Sequence, residues 1–274
     1  MRIAIEHKLN LTPPPGVPQV LLHLLLTPPA GVSQSVENWS VEVAGIGNAG
    51  RFSDGFGNLV HLVNQARPEG DICVTVRGEV VTTDTHGVLG RVAGEPVPAL
   101  YKRVTPLTKA PVTLYGKYRN AKESRLDILH GLMARVGETL GLPEPEETQT
   151  QMQADGGQSQ SQGTAPEPDI EETELPPASD YVHLFIGAAR ALDIPARFVT
   201  GYLLDEDGKS GRLHVWAEAF DTGLGWIGFD PVMQMCPTNR YVRLCVGLDA
   251  EAANPLRVHP AVDVTQSAQL SGKA

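Results

Sequence analysis

Residues 213–219 read Leu213-His214-Val215-Trp216-Ala217-Glu218-Ala219. Their period-two alternation predicts a strand with Leu213, Val215, Ala217 and Ala219 on one face and His214, Trp216 and Glu218 on the other. An apolar strip facing a core is ordinary for a sheet, whereas an imidazole, an indole and a carboxylate in a row are not. A second strand is predicted over residues 224–230, after the turn Asp221-Thr222-Gly223. With Gly223 in the left-handed position of a three-residue hairpin loop, register counting pairs Glu218 with Trp226, Trp216 with Gly228, and His214 with Asp230. Opposed side chains on one face lie in contact range. The spacing therefore predicts an aspartate oriented on a histidine, the base and orienter of a nucleophilic triad.

Working outward, residues 196–204 predict a further strand, and residues 179–192 a helix that Ser179 and Asp180 can cap. Val182, Phe185, Ile186, Ala189 and Leu192 form one face of that helix, and Leu184, Ala188 and Ala191 make most of the remainder apolar, so it is expected to be buried. A helix on an antiparallel sheet is an α+β arrangement. The N-terminal part differs. Short alternating segments at 2–9, 19–26, 39–46, 58–63 and 71–83, separated by Pro13-Pro14-Pro15-Gly16, Pro28-Pro29-Ala30-Gly31 and Asp54-Gly55-Phe56-Gly57-Asn58, predict an antiparallel β domain. Between the two parts, Leu126, Leu129, Leu132, Met133, Val136 and Leu140 follow helical spacing and stop at Gly141.

Residues 143–177 hold nine Asp/Glu, six Gln and six Pro with no Lys or Arg, and carry nearly all of the net charge of −10. A segment with so little apolar surface cannot offset the entropy of ordering, so a disordered acidic linker is expected. The acidic balance argues against a nucleic-acid partner. Charges spaced through Met1–Glu6, and the lack of any long apolar run, lead to the expectation of a cytoplasmic protein with no membrane association. Cys73, Cys236 and Cys245 are odd in number and widely spaced, which suits reduced and mostly buried thiols. No His/Cys set has ligand spacing, so no metal and no cofactor is expected.

Three blocks resemble the successive core motifs of the transglutaminase-like superfamily, which shares the papain-like fold. They are Pro195-Ala196-Arg197-Phe198-Val199-Thr200-Gly201-Tyr202, then His214-Val215-Trp216-Ala217-Glu218, then Phe229-Asp230-Pro231. Trp39-Ser40-Val41-Glu42-Val43 and Asp54-Gly55-Phe56-Gly57-Asn58 are similar to the β domain that precedes this core in a bacterial branch. The family motif Gly-x-Cys-x-Asp-aromatic-Ala-His-Leu, laid on Pro176-Pro177-Ala178-Ser179-Asp180-Tyr181-Val182-His183-Leu184, puts Ala178 where the cysteine belongs. The resemblance implies that His214 and Asp230 keep the other two triad positions. Pro176-Pro177 in place of the Gly-x pair argues against a single engineered substitution.

The domain organisation that follows is a β domain over 1–105, a connecting helical segment over 106–142, the linker over 143–177, a transglutaminase-like core over 178–262 and a flexible tail over 263–274. Trp216 and Trp226, on the histidine face, are expected to wall a cleft beside Ser179 and Asp180. His183 is expected to be a buried hydrogen-bonded residue. Two functions remain open. One is a catalytically inactive protein that binds a peptide or protein partner, for which the resemblance implies a peptide-ligation or peptide-processing setting. The other is an amide hydrolase or acyl transferase with a displaced nucleophile; Ser179 is better explained by capping, and Cys236 by a small buried side chain.

Overall fold

The computed structural model describes residues 1–91, 94–142 and 175–273. Its first half is β1 (Arg2–Thr12), β2 (Gln19–Leu24), β3 (Gln34–Glu42), β4 (Gly50–Ser53), β5 (Leu59–Ala66), β6 (Ile72–Thr82) and β7 (Val88–Gly90), then α1 (Val112–Tyr115) and α2 (Arg125–Leu140). The second half is α3 (Ala178–Ala191), β8 (Ala196–Leu204), β9 (Gly211–Asp221), β10 (Gly225–Phe229), β11 (Tyr241–Gly247), β12 (Leu256–His259) and β13 (Asp263–Lys273). Among the described residues no helix is long and apolar enough to cross a membrane.

Strict alternation builds the N-terminal part. Ile3, Ile5, Leu9 and Leu11 of β1 point inward with His7, and share one core with Val20, Leu22 and Leu24 of β2 and with Val74, Val76 and Val80 of β6. Two antiparallel sheets, ordered β13-β1-β6-β3 and β12-β2-β5-β4, meet over this core. The third sheet, ordered β11-β8-β9-β10-β7, carries α3 on the face made by Phe198, Ala217, Ala219, Ile227 and Phe229. Alanines at 217 and 219 let the helix approach closely, and α2 closes the other side of the same cluster through Leu129, Leu132, Met133 and Val136. Helix α2 starts at Ser124, whose hydroxyl accepts from Asp127 N at 3.1 Å while donating to the Asp127 carboxylate at 2.7 Å.

The expected boundaries need correction at both ends. Residues 263–273 are no flexible tail: β13 pairs with β1 along its whole length, from Arg2↔Lys273 to Thr12↔Asp263. Only Leu270 of this strand is buried, so its sequence lacks the apolar alternation by which strands are read. β12 likewise returns to the N-terminal part, pairing with β2, and β7 crosses the other way to pair with β10. The third strand begins at Gln34 rather than Trp39, because its pairing with β6 starts at Gln34↔Thr82, ahead of the alternating stretch. Of the acidic segment, 143–174 lies outside the described residues; Leu175 packs against Gly141, and Pro176-Pro177 lead into α3.

Two side-chain amides fasten the N-terminal part to the outer edge of β11. Asn58 donates to Val246 O at 2.7 Å and accepts from Val246 N at 2.9 Å, while Asp54 accepts from Phe56 N and from the Asn58 backbone and side chain. Gln34 treats Arg243 in the same way, accepting from its N and donating to its O. Each amide takes the place of a neighbouring strand, so this edge is capped without a further strand.

Candidate active site

The loop from β9 to β10 lies one residue later than counting predicts, which shifts the pairing register by two. Asp221 pairs with Gly225, whose φ of 83° makes it the left-handed residue in place of Gly223, and Glu218 faces Gly228 rather than Trp226. A shift of two preserves the face, since the side-chain period is two. His214 and Asp230 thus lie on one face as diagonal rather than direct neighbours, and their side chains meet: His214 Nε2 donates to Asp230 Oδ2 at 2.6 Å.

Asp230 is fully buried and accepts from four donors. Oδ2 also takes the Tyr241 hydroxyl at 2.9 Å, and Oδ1 takes Val232 N and Met233 N, each at 3.0 Å. Burial, then the charge of Asp230, push the Tyr241 phenol well above its ordinary value, so Tyr241 stays a donor. Four donors on one buried carboxylate fix its position, and it in turn fixes the imidazole. With Nε2 committed, Nδ1 is the ring nitrogen left for a proton transfer. Trp216 stacks along the imidazole at 6.5 Å between centroids and meets Tyr241 edge-on at 5.4 Å. Its indole lies over Gly201, where any Cβ would collide with the ring, which accounts for the glycine in Val199-Thr200-Gly201-Tyr202.

Ala178 is the first residue of α3, with Pro177 at the N-cap. Ser179 and Asp180 fall inside the first turn, so neither is the cap; Asp180 there suits the positive end of the helix dipole. The helix packs on the opposite face of the sheet from His214. Its N-terminal turn and the loop after Asp230 share a neighbour, however: Tyr181 donates to Leu140 O at 3.4 Å, and Gln234 donates to Met133 O at 3.1 Å, both on α2. The first turn of α3 and the loop after Asp230 therefore both contact the C-terminal half of α2, through Tyr181 and Gln234. Among the described residues, the pairing of β9 with β10 ends at Ala217↔Phe229, so His214 lies beyond the paired stretch.

Trp226 does not join this group. It is buried with Tyr101, Phe220 and Leu248, and Arg197 lies 3.9 Å from its ring centre. The two tryptophans do not wall one cleft as expected: Trp226 is covered by Tyr101, and Trp216 packs in a separate cluster with Tyr241. Sequence reading missed two partners. Tyr241 carried no signal before the chain was folded. Arg197 did, as a charge in a strand whose nine residues are all buried, where a partner is obligatory. That partner set is Glu218 Oε2 at 2.6 Å and Glu95 at 2.8 and 3.3 Å.

His183 is buried and accepts from Ala250 N at 3.1 Å, as a neutral imidazole must; burial lowers its pKa. Cys245 lies in the core, with burial pushing its thiol up to about 12, and burial also raises Cys236. Neither environment favours a thiolate. Of the three thiols expected to be mostly buried, only Cys245 is fully so: Cys236 is half-buried and Cys73 is exposed on β6.

Residues 150–231 match the transglutaminase-like superfamily, and residues 3–81 match the bacterial transglutaminase-like N-terminal region. A crystal structure from Cytophaga hutchinsonii, described as a candidate cysteine protease, superposes with a TM-score of 0.69 at 18% identity, covering 99% of this chain and 90% of that one. At that identity the likeness concerns the fold. The uncharacterized protein ML0607 of Mycobacterium leprae (strain TN) is 37% identical over 84 residues, a match spanning 28% of this chain and 29% of that protein.

Proposed function

We propose that this chain, which belongs to the transglutaminase-like superfamily, binds a peptide or protein partner on its core and does not turn over substrate. One observation carries the reading. Ala178 occupies the first position of α3, where the family motif has its cysteine, and a methyl group can neither attack a carbonyl nor give His214 a proton to take. The helix N-terminus would lower a thiol's pKa and present free N–H groups to an oxyanion, but here it has no nucleophile to serve. The His214–Asp230–Tyr241 set then acts as a rigid buried network that shapes the face. The partner we favour belongs to a peptide-ligating or peptide-processing system.

The test is direct. Wild-type protein incubated with fluorogenic peptide amides and an amine acceptor should release no product and transfer no acyl group. Turnover that disappears in Ser179→Ala or Cys236→Ala would replace this reading with catalysis from a displaced nucleophile.

A further inference from the structure

Four charged side chains meet beneath the segment that crosses the His214 face. Arg197, fully buried, donates through Nε to Glu218 and through both terminal nitrogens to Glu95; Arg243 reaches Glu95 Oε1 at 3.2 Å and Glu218 Oε1 at 3.0 Å. Three of the four stand on strands of the core sheet, Arg197 on β8, Glu218 on β9 and Arg243 on β11. Glu95 alone comes from outside it. Without Glu95 the sheet face would hold two guanidinium groups against one carboxylate, an excess positive charge that a largely buried site cannot leave unpaired.

Glu95 belongs to the described residues 94–101, a strap that lies between β7 and the buried Tyr101. At one end β7 contributes three residues, pairing Val88 with Ile227 and Gly90 with Trp226. At the other, Tyr101 is buried edge-on against Trp226, with ring centres 5.2 Å apart. Gly90, the last residue of β7, and Gly94 hold φ of 72° and 82°, left-handed conformations that glycine adopts at little cost, and Val97 is 70% exposed. The side chains of Glu95 and Arg243 keep 14% and 13% exposure, so solvent reaches the ion pair. A cavity of about 30 Å³, lined in part by Trp216, Glu218, Tyr241 and Arg243, continues along the same face.

We propose that Arg197 and Arg243 form a carboxylate-binding subsite for an acidic peptide, and that Glu95 occupies it in place of the ligand. This names the ligand chemistry of the face and rests on the reading that the core binds peptide. The planar guanidinium fork of Arg197 suits a carboxylate bound through both oxygens, which Glu95 displays. Glu218 lies four residues from His214 along β9, about 13 Å at roughly 3.3 Å per residue, so the peptide's acidic residue would sit about four residues from the part that passes the imidazole. The strap acts as a tethered competitor that a ligand must displace.

The experiment uses the full chain and two short fluorescein-labelled probes, a Glu/Ser peptide and its Gln/Ser counterpart, followed by anisotropy at low salt. Glu95→Gln is expected to bind the Glu/Ser peptide about ten-fold tighter than wild type, because the competitor's population is removed, with no change for the Gln/Ser peptide. Adding Arg243→Gln to that variant should return the affinity to the wild-type level or below. Glu95→Asp, which keeps the charge but withdraws it by one methylene, provides a milder variant and should give a gain of a few-fold. Equal affinity of a folded Glu95→Gln or Glu95→Asp variant for the two probes, with both bound, would overturn the carboxylate subsite and leave peptide binding standing. Binding of neither probe by wild type or variant would overturn both.

Discussion

Replacing Asp230 by alanine removes one acceptor from four donors. The carboxylate is fully buried and takes His214 Nε2, the Tyr241 hydroxyl, Val232 N and Met233 N. Each donor left without a partner costs about 1–3 kcal/mol, and the costs do not add, since a water can enter the space and the imidazole and hydroxyl can reorient. The two backbone N–H groups cannot reorient. About 3–5 kcal/mol is therefore expected for Asp230→Ala, in the range found when one partner of a buried charged network is removed. Asp230→Asn is the informative companion. Its carbonyl can still accept from Val232 N and Met233 N, while the amide N–H₂ faces Nε2 and the Tyr241 oxygen, both of which can switch to accepting. About 1–2 kcal/mol is expected. Thermal melts at pH 7 should place Asp230→Ala roughly ten degrees below wild type and Asp230→Asn within about five. Equal melting temperatures for the two variants would refute the account of Asp230 as the acceptor that organises the loop after β10.

Other perturbations test other parts of the structure. Asn58→Ala should cost about 2–3 kcal/mol in a denaturant melt, since it leaves Val246 N and O on the β11 edge without partners, and Asn58→Asp should be no better because its second oxygen would face Val246 O and the Asp54 carboxylate. Burial opposes the charge on Glu95, but Arg197 and then Arg243 outweigh it and hold its pKa below 4.5. A depressed carboxylate stabilises the fold above its unfolded pKa and loses that contribution as pH falls through the folded value, so melting temperature should drop below about pH 4.5 more steeply in wild type than in Glu95→Gln. Burial lowers His183 from 6.5, so the native state resists its protonation, and stability should decline as pH falls below 6.5 by an amount that His183→Gln diminishes.

Much of the core was legible because alternation and helical period report burial directly. Residues 196–204 form the predicted strand, and α3 differs from its expected span by one residue at each end. The pairing register was not legible to the residue: the three-residue loop starts at Thr222 rather than Asp221, and the left-handed position fell on Gly225 rather than Gly223. His214 still meets Asp230 because the error was even. Strand β13 was invisible because ten of its eleven residues are not buried and its few apolar side chains make no regular stripe, and it is held by pairing with a β1 that already has its own buried face. The ion pair between Glu95 and Arg197, 102 residues apart in sequence, could be inferred from one end only. A buried arginine demands a carboxylate, but nothing local says which one. Trp226 shows the converse limit: its face was read correctly, yet the strap that covers it belongs to another part of the chain.

The central claim is that the core keeps a base and its orienter but has no nucleophile to activate. Ala178→Cys restores a thiol at the helix N-terminus, and its alkylation by iodoacetamide at pH 6 can be compared with that of the exposed Cys73. An ordinary thiol with a pKa of about 8.5 is about 0.3% thiolate at that pH, whereas one lowered to about 6 is about half thiolate; the weaker nucleophilicity of the more acidic thiolate reduces the advantage to roughly ten-fold. The account predicts that the introduced thiol reacts about ten times faster than Cys73, and that His214→Ala in the same variant removes most of the difference. Reaction no faster than at Cys73, in a protein that melts like wild type, would contradict the placement of Ala178 at the nucleophile position.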